Sequence, residues 1–305
     1  MFLLKKQKGV SLVEVLVSVT IMIIVSFLVV DTFYQARLSF NSSVVNLDFY
    51  KKSVESRAIF TNLVDNAYIT GNATYSILKK RNNAIGSTPV INPFDYPLIY
   101  AQPVPLVASS NFPSDAQQGT DVLVVQTIDF PIVLEKAVSS SDQSITFDKV
   151  YAGSNQYMML TDDTNQSLLE TSSVHVNIDS GSTTFNLETP IGQSYPVGST
   201  LYTGYTIKVI YIRNTGQVDN NGNPEFELFQ RSYSNSTNET EQALLKGVSD
   251  LHISYKMSGQ NQQWQAVTSQ TNKRSWYREI RGIKIDYKLD GQDQEVVLSF
   301  NGISD

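Results

Sequence analysis

The sequence predicts an α+β protein: one long N-terminal helix, membrane-spanning in its first half, packed on a C-terminal antiparallel β-rich domain. Three observations predict it. Residues 10–30 form an almost unbroken apolar run with one charge, Glu14, and no glycine or proline occurs between Gly9 and Gly71. Six of the ten prolines then crowd the next stretch: Pro89, Pro93, Pro97, Pro103, Pro105 and Pro113. From Asp121 onward, short apolar or alternating segments are separated by turn residues, the pattern of antiparallel strands.

Composition narrows the function classes. The 305 residues carry a formal net charge of −6, which argues against nucleic-acid binding by the whole surface. No cysteine is present, so disulfides and thiolate metal sites are excluded. The two histidines, His175 and His252, are far apart in sequence. Only 17% of residues are charged, while Ser, Thr, Asn, Gln, Tyr and Phe are abundant, a mix that leans towards a β-rich extracytoplasmic protein.

The first thirty residues admit three readings. A cleaved secretory signal has a basic n-region, a short apolar core and a small-residue cut site; here the apolar run is long, carries Glu14, and is followed by no Ala-x-Ala pattern. A plain signal anchor fits the length, since about 20 apolar residues cross the ~30 Å hydrocarbon core. Lys5, Lys6 and Lys8 would then hold the N-terminus in the cytoplasm. The third reading starts from the string Lys8-Gly9-Val10-Ser11-Leu12-Val13-Glu14-Val15-Leu16. It resembles the class III signal of type IV pilins and type II secretion pseudopilins.

That resemblance implies a cut between Gly9 and Val10 by prepilin peptidase, with methylation of the new amine of Val10. Glu14 becomes the fifth residue of the mature chain, the family's hallmark position. The family prefers Phe first after the cut, and this chain has Val10. A carboxylate inside hydrocarbon costs several kcal/mol unless paired or neutralised. In the family, this Glu meets the N-terminal ammonium of a neighbouring subunit. The alternative reading of Glu14 is a side chain that snorkels to the interface or stays protonated.

Residues 31–70 continue the helix as an amphipathic half. Phe33, Phe40, Val44, Leu47 and Val54, with Ala36 and Ala58, are spaced as one apolar stripe. The stripe calls for a partner, which a β-sheet supplies in pilins; a coiled-coil stalk is the competing reading. Residues 71–120 read as a Pro-rich connection, because proline at this density forbids regular helix.

Residues 121–305 read as about ten strands. Segment 121–130 is apolar enough to be buried. Short candidates follow at 144–150, 156–160, 174–178 and 183–187. Segments 205–213 and 225–233 flank the polar tip Asn220-Asn221-Gly222-Asn223 as a long hairpin. Leu251, Ile253, Tyr255 and Met257 alternate with polar residues. Ile283, Ile285, Tyr287 and Leu289 do the same before Asp290-Gly291, a strong hairpin turn signal, and Val296, Leu298 and Phe300 follow. The stretches Gly119–Gln126, Tyr157–Asp162, Ala243–Leu251 with Ile253–Tyr255, and Arg278–Ile285 resemble, in order, the PilW branch of minor pilins. The type II secretion pseudopilin J has a similar body plan.

No Gly-x-Ser-x-Gly elbow, P-loop, dinucleotide glycine pattern or His-Glu-x-x-His occurs, so the sequence predicts no enzyme and no cofactor. Asp219–Glu225 lacks the glycine spacing of an EF-hand, and Asp162-Asp163 reads as a turn, so no metal site is predicted. Sequons such as those at Asn72 and Asn235 are frequent by chance in so Asn/Ser/Thr-rich a chain. Lys273, Arg274 and Arg278 beside Trp276 and Tyr277 make one candidate DNA contact, by phosphate pairing and base stacking; the competing reading is a solvated edge loop. The resemblance implies a structural subunit that helps start a type IV pilus, near the tip. Its partners would be prepilin peptidase, other minor pilins, the major pilin and inner-membrane lipid. A type II secretion pseudopilin is the alternative, and a single-pass anchored adhesin or receptor a further one.

Overall fold

Among the described residues of the computed structural model, one helix, α1 (Leu12–Tyr68), precedes sixteen strands. The described residues are 11–68, 79–83, 99–104, 113–151, 156–218, 222–235, 239–257, 263–268 and 280–299. The protein is α+β, a long apolar helix followed by an antiparallel β-rich domain. Two compact units divide between Lys52 and Ser53.

The apolar part of α1 has a mean hydropathy of 2.7 over its most apolar window, none of it buried. Its hydroxyls are satisfied without water. Ser18, Thr20, Ser26 and Thr32 each donate to the carbonyl four residues earlier, at 2.7–2.8 Å. That is how a polar side chain is tolerated in a helix made for lipid.

Within the single chain, the predicted apolar stripe does not coincide with the face of α1 that the β-rich region covers. Phe33, Phe40, Val44, Leu47 and Val54 are at least half exposed, and Ala36 and Ala58 are exposed too. The face that is buried comprises Ser56, Phe60, Leu63 and Val64. These lie at i, i+4, i+7 and i+8, one helical face. A sheet selects that face, and its reach begins only at Ser53.

That partner is a four-stranded sheet in the order β14 (Gln265–Ala266), β13 (Val248–Met257), β15 (Ile280–Leu289), β16 (Gln292–Ser299). Ile253, Ile283, Ile285, Tyr287, Leu289 and Val296 form its buried face, while Lys284, Asp286 and Lys288 alternate with them on the other. Ser53 donates to the Gln294 side chain at 2.9 Å. The Phe60 and Tyr287 rings lie 5.3 Å apart. The β15–β16 turn is Asp290-Gly291 with φ of 47° and 80°, both positive as a two-residue primed turn requires.

A five-stranded sheet has the order β12 (Glu239–Lys246), β11 (Pro224–Tyr233), β10 (Thr206–Val218), β3 (Asp121–Thr127), β2 (Ile99–Pro103). A seven-stranded sheet has the order β4 (Pro131–Val133), β9 (Thr200–Tyr202), β6 (Tyr157–Thr161), β7 (Asn165–Asn177), β8 (Ser182–Leu187), β5 (Ser144–Phe147). β1 (Lys79–Asn82) adds to β7 as a parallel pair. Strand β6 is buried on both faces: Tyr157 and Met159 join Val122, Val124, Ile207 and Val209 of the five-stranded sheet in one core. Met158 and Leu160 join Ile145, Phe185 and Leu201 in a second.

Several elements differ from the sequence expectation. Strands β1 and β2 lie in the stretch read as a Pro-rich loop. Pro103 is accommodated because β2 is an edge strand and Pro103 ends it. Strand β7 begins nine residues earlier than the segment at 174–178. Its first half is buried although it contains Gln166, Ser167 and Glu170. The polar tip of the β10–β11 hairpin has its residues 219–221 outside the described residues.

Candidate functional site

The start of α1 carries the one predicted site residue that is described, Glu14. Gly9, Val10, Lys5, Lys6 and Lys8 lie outside the described residues, as do Arg274, Trp276 and Arg278.

Ser11 is the N-cap of α1. Its carbonyl accepts from the amides of Glu14 at 3.0 Å and Val15 at 3.3 Å, the first bonds of the helix. Its hydroxyl faces the amide of Val13 at 3.4 Å. The Glu14 carboxylate turns back and accepts from the Ser11 main-chain N–H through Oε2 at 3.1 Å. Serine at the cap and glutamate three residues on is the capping-box arrangement, which satisfies amides that a helix start leaves open. The carboxylate also sits at the positive end of the helix dipole. The sequence reading missed Ser11, although Ser11-Leu12-Val13-Glu14 displays the S-x-x-E signature.

This geometry surrounds a known signal. The family model described as the prokaryotic N-terminal methylation motif matches residues 4–30. With the long apolar helix that follows, it supports a type IV pilin-like or pseudopilin-like subunit. No curated protein matches the chain, and no solved structure does. The motif indicates a structural subunit rather than an enzyme. It implies processing by prepilin peptidase and assembly with other pilins. It also agrees with a membrane-anchored, pilus- or surface-associated protein.

The remaining charged clusters in the β-rich region pair internally. On the outer face of the four-stranded sheet, Lys288 bonds Asp250 at 2.7 Å, and Lys284 lies 2.8 Å from Asp286 and 3.5 Å from Glu295. Arg213 lies 2.6 Å from Glu227, and Arg231 lies 2.6 Å from Glu241, each across a strand pair. Asp162, considered above as a turn or a metal ligand, is a turn. Burial acts to raise its pKa, but amide and side-chain bonds from Thr164 and Asn165 outweigh it and hold the carboxyl below its usual range. Among the described residues no group of three His, Asp or Glu side chains is placed to hold a metal.

One buried contact and one nearer the surface organise the domain. Asp121 on β3 accepts from the Ile253 amide on β13 at 2.6 Å, tying the five-stranded sheet to the four-stranded one. The His252 ring nitrogen is 4.0 Å from the same carboxylate. Burial pushes the Asp121 carboxyl above its ordinary range, with the Ile253 bond and His252 opposing. Arg81 on β1 donates to the Gly192 carbonyl at 2.7 Å, and Asn83 bonds the carbonyl of Ile191. These bonds fasten the connection after α1 to the seven-stranded sheet.

Proposed function

We propose that the chain is a minor prepilin that helps initiate a type IV pilus, at or near its tip, in complex with other minor pilins. The observation that carries this reading is the methylation motif at 4–30, continuous with an exposed apolar helix whose first turn holds Glu14. Prepilin peptidase would hydrolyse the Gly9–Val10 bond, and Val10 would be methylated. Lys5, Lys6 and Lys8 would keep the leader on the cytoplasmic side, where cation-rich flanks are retained. Residues 10–30 would span the inner membrane and the β-rich region would lie outside the cytoplasm. Glu14 would then pair with the N-terminal ammonium of a neighbour, removing two charges from lipid together.

The PilW-like assignment draws support from where its motifs fall. Gly119–Gln126 runs into β3, Tyr157–Asp162 covers β6, Ala243–Tyr255 covers the passage from β12 to β13, and Arg278–Ile285 enters β15. Each overlaps a strand of the β framework. A type II secretion pseudopilin would share the same motif and the same processing.

The test is the N-terminal mass of the native protein from its own membrane fraction. A chain beginning at N-methyl-Val10 supports the reading. An intact Met1, with Lys5, Lys6 and Lys8 still attached, overturns it and leaves an anchored β-rich protein.

A further inference from the structure

We infer that Asp129 and Phe130 form a docking point for an arginine of a partner protein, carried on an extended segment that lies along the edge strand β4. The inference goes beyond the pilin reading and does not depend on it.

The chain crosses from the five-stranded sheet to the seven-stranded one between β3 and β4, and returns between β9 and β10. The two crossings are bonded to each other. The Asp129 amide donates to the Gly204 carbonyl at 3.2 Å, and the Gly204 amide donates to the Asp129 carbonyl at 3.3 Å. The Phe130 carbonyl accepts from the Thr203 amide at 3.3 Å. These bonds hold Phe130 at a φ of 55°, in the left-handed region that a bulky side chain rarely enters. Glycine or asparagine would make the same bend with less strain. Burial does not offset that strain, because Phe130 is 72% exposed. A strained residue whose ring is left in solvent points to a use outside the chain.

Charge decides which use. Beside the ring, the Asp129 carboxylate has no hydrogen bond or ion pair among the described residues. The charges farther along this edge are matched: Glu135 pairs with Lys149 at 3.2 Å, and Lys136 with Asp148 at 3.1 Å. Asp129 and Phe130 border the same bare backbone, since a Cβ at Gly204 would lie 3.0 Å from both the Asp129 Cβ and the Phe130 ring. Pro131 and Val133 extend the exposed apolar border, while Ile132 between them is buried.

An arginine matches this set. Its guanidinium stacks flat on an aromatic face while its N–H fork pairs with a carboxylate, whereas a lysine offers a single point charge. Strand β4 is outermost in its sheet, with no strand beyond it among the described residues. Its outward main-chain groups therefore suit an extended segment of the partner.

The test uses the full chain in its own cells, with p-benzoylphenylalanine in place of Val133 so that Asp129 and Phe130 stay intact. Irradiation should give a cross-link to another protein, mapped by mass spectrometry to within a few residues of an arginine. Asp129→Asn should cut the yield severalfold, Asp129→Glu should keep most of it, and glutamine in place of the mapped arginine should match the Asp129→Asn loss. No cross-link, cross-linking only to lipid, or a yield indifferent to Asp129→Asn overturns the inference. Phe130→Asn separates docking from folding, because asparagine enters the left-handed region readily. Its urea midpoint should stay near wild type while the cross-link falls severalfold. A lowered midpoint with the cross-link retained would assign the ring to the fold and overturn the inference.

Discussion

The Ser56 hydroxyl and the Tyr287 phenol oxygen meet at 2.6 Å in the buried junction between α1 and β15. Ser56 also donates to the Ser53 carbonyl at 2.9 Å, so it keeps one partner if the phenol is removed. Tyr287→Phe should therefore cost only about 1 kcal/mol, one net hydrogen bond. Tyr287→Ala should cost about 3–5 kcal/mol, because the ring against Phe60 is lost and a cavity remains. Urea midpoints of the full chain in detergent check both. Equal losses for the two variants would show that the ring contributes nothing beyond its hydroxyl.

Buried phenols set the alkaline limit of the fold. Burial is the leading cause that raises Tyr195 and Tyr233 to about 12, and it raises Tyr157, Tyr211 and Tyr287 as well. In the unfolded chain these groups ionise near 10. The unfolded state therefore loses protons first, and stability that is complete below pH ~10 declines as pH rises towards ~12. These five of the sixteen tyrosines should therefore withhold their tyrosinate absorbance across that window and release it together at the denaturation transition. Ionisation of all sixteen with the fold intact would contradict the burial argument.

Asp121 makes the opposite kind of contribution at neutral pH. Its carboxyl is raised by burial, so the buried ionised form opposes folding, and this opposition grows as pH rises above ~4 through the raised value. Asp121→Asn keeps an acceptor for the Ile253 amide without the charge. It should be as stable as wild type or more so at pH ~7, with the difference shrinking towards pH ~4. Asp121→Ala leaves that amide unmet and should cost about 1–3 kcal/mol. Thermal unfolding of the three chains at both pH values distinguishes these outcomes.

Much of the β framework is legible in the sequence, and the failures have physical causes. The β15–β16 hairpin is readable because alternation and Asp290-Gly291 agree, and local and tertiary preferences coincide there. Strand β12 is not, since Glu239, Glu241 and Gln242 are exposed on an edge and carry no apolar period. The first half of β7 hides for the reverse reason: its polar residues are buried and find distant partners, as Ser167 does in accepting from the Tyr195 hydroxyl at 2.7 Å. At the helix, apolar spacing marked Phe33 to Val54, whereas the sheet covers Ser56 to Val64. At the site, the sequence singles out Glu14 by its distance to Gly9. Ser11 was equally legible as an N-cap, but a reading focused on the carboxylate passes over the serine that holds it.

Gly247 turns the chain from β12 to β13, that is, from one sheet to another, with φ of +79°. A Cβ there would run into the Asp290 carboxylate, whose own amide donates to the Gly247 carbonyl at 2.8 Å. Gly216 has a similar φ of +75° but open space around it. Gly216→Ala should cost only the left-handed backbone penalty, about 1–2 kcal/mol. Gly247→Ala should cost clearly more, because it adds a clash and displaces the β15–β16 turn. Matched denaturation curves provide the comparison, and equal losses would mean that Asp290 yields freely.

Glu14 offers the most direct test of assembly chemistry. Glu14→Gln preserves size and an acceptor for the Ser11 amide, so α1 should still be capped and the protein should accumulate in the membrane. What it removes is the negative charge that a neighbouring ammonium would meet. If pairing in trans governs entry into the filament, Glu14→Gln should be cleaved at Gly9 yet be depleted from sheared filaments by tenfold or more, about 1.4 kcal/mol of lost pairing. Glu14→Asp keeps the charge on a shorter arm and should recover part of that loss. Mass spectrometry of the membrane fraction reports cleavage, and quantitative immunoblots of sheared filaments report incorporation. Wild-type incorporation of Glu14→Gln would leave the carboxylate with a capping role alone.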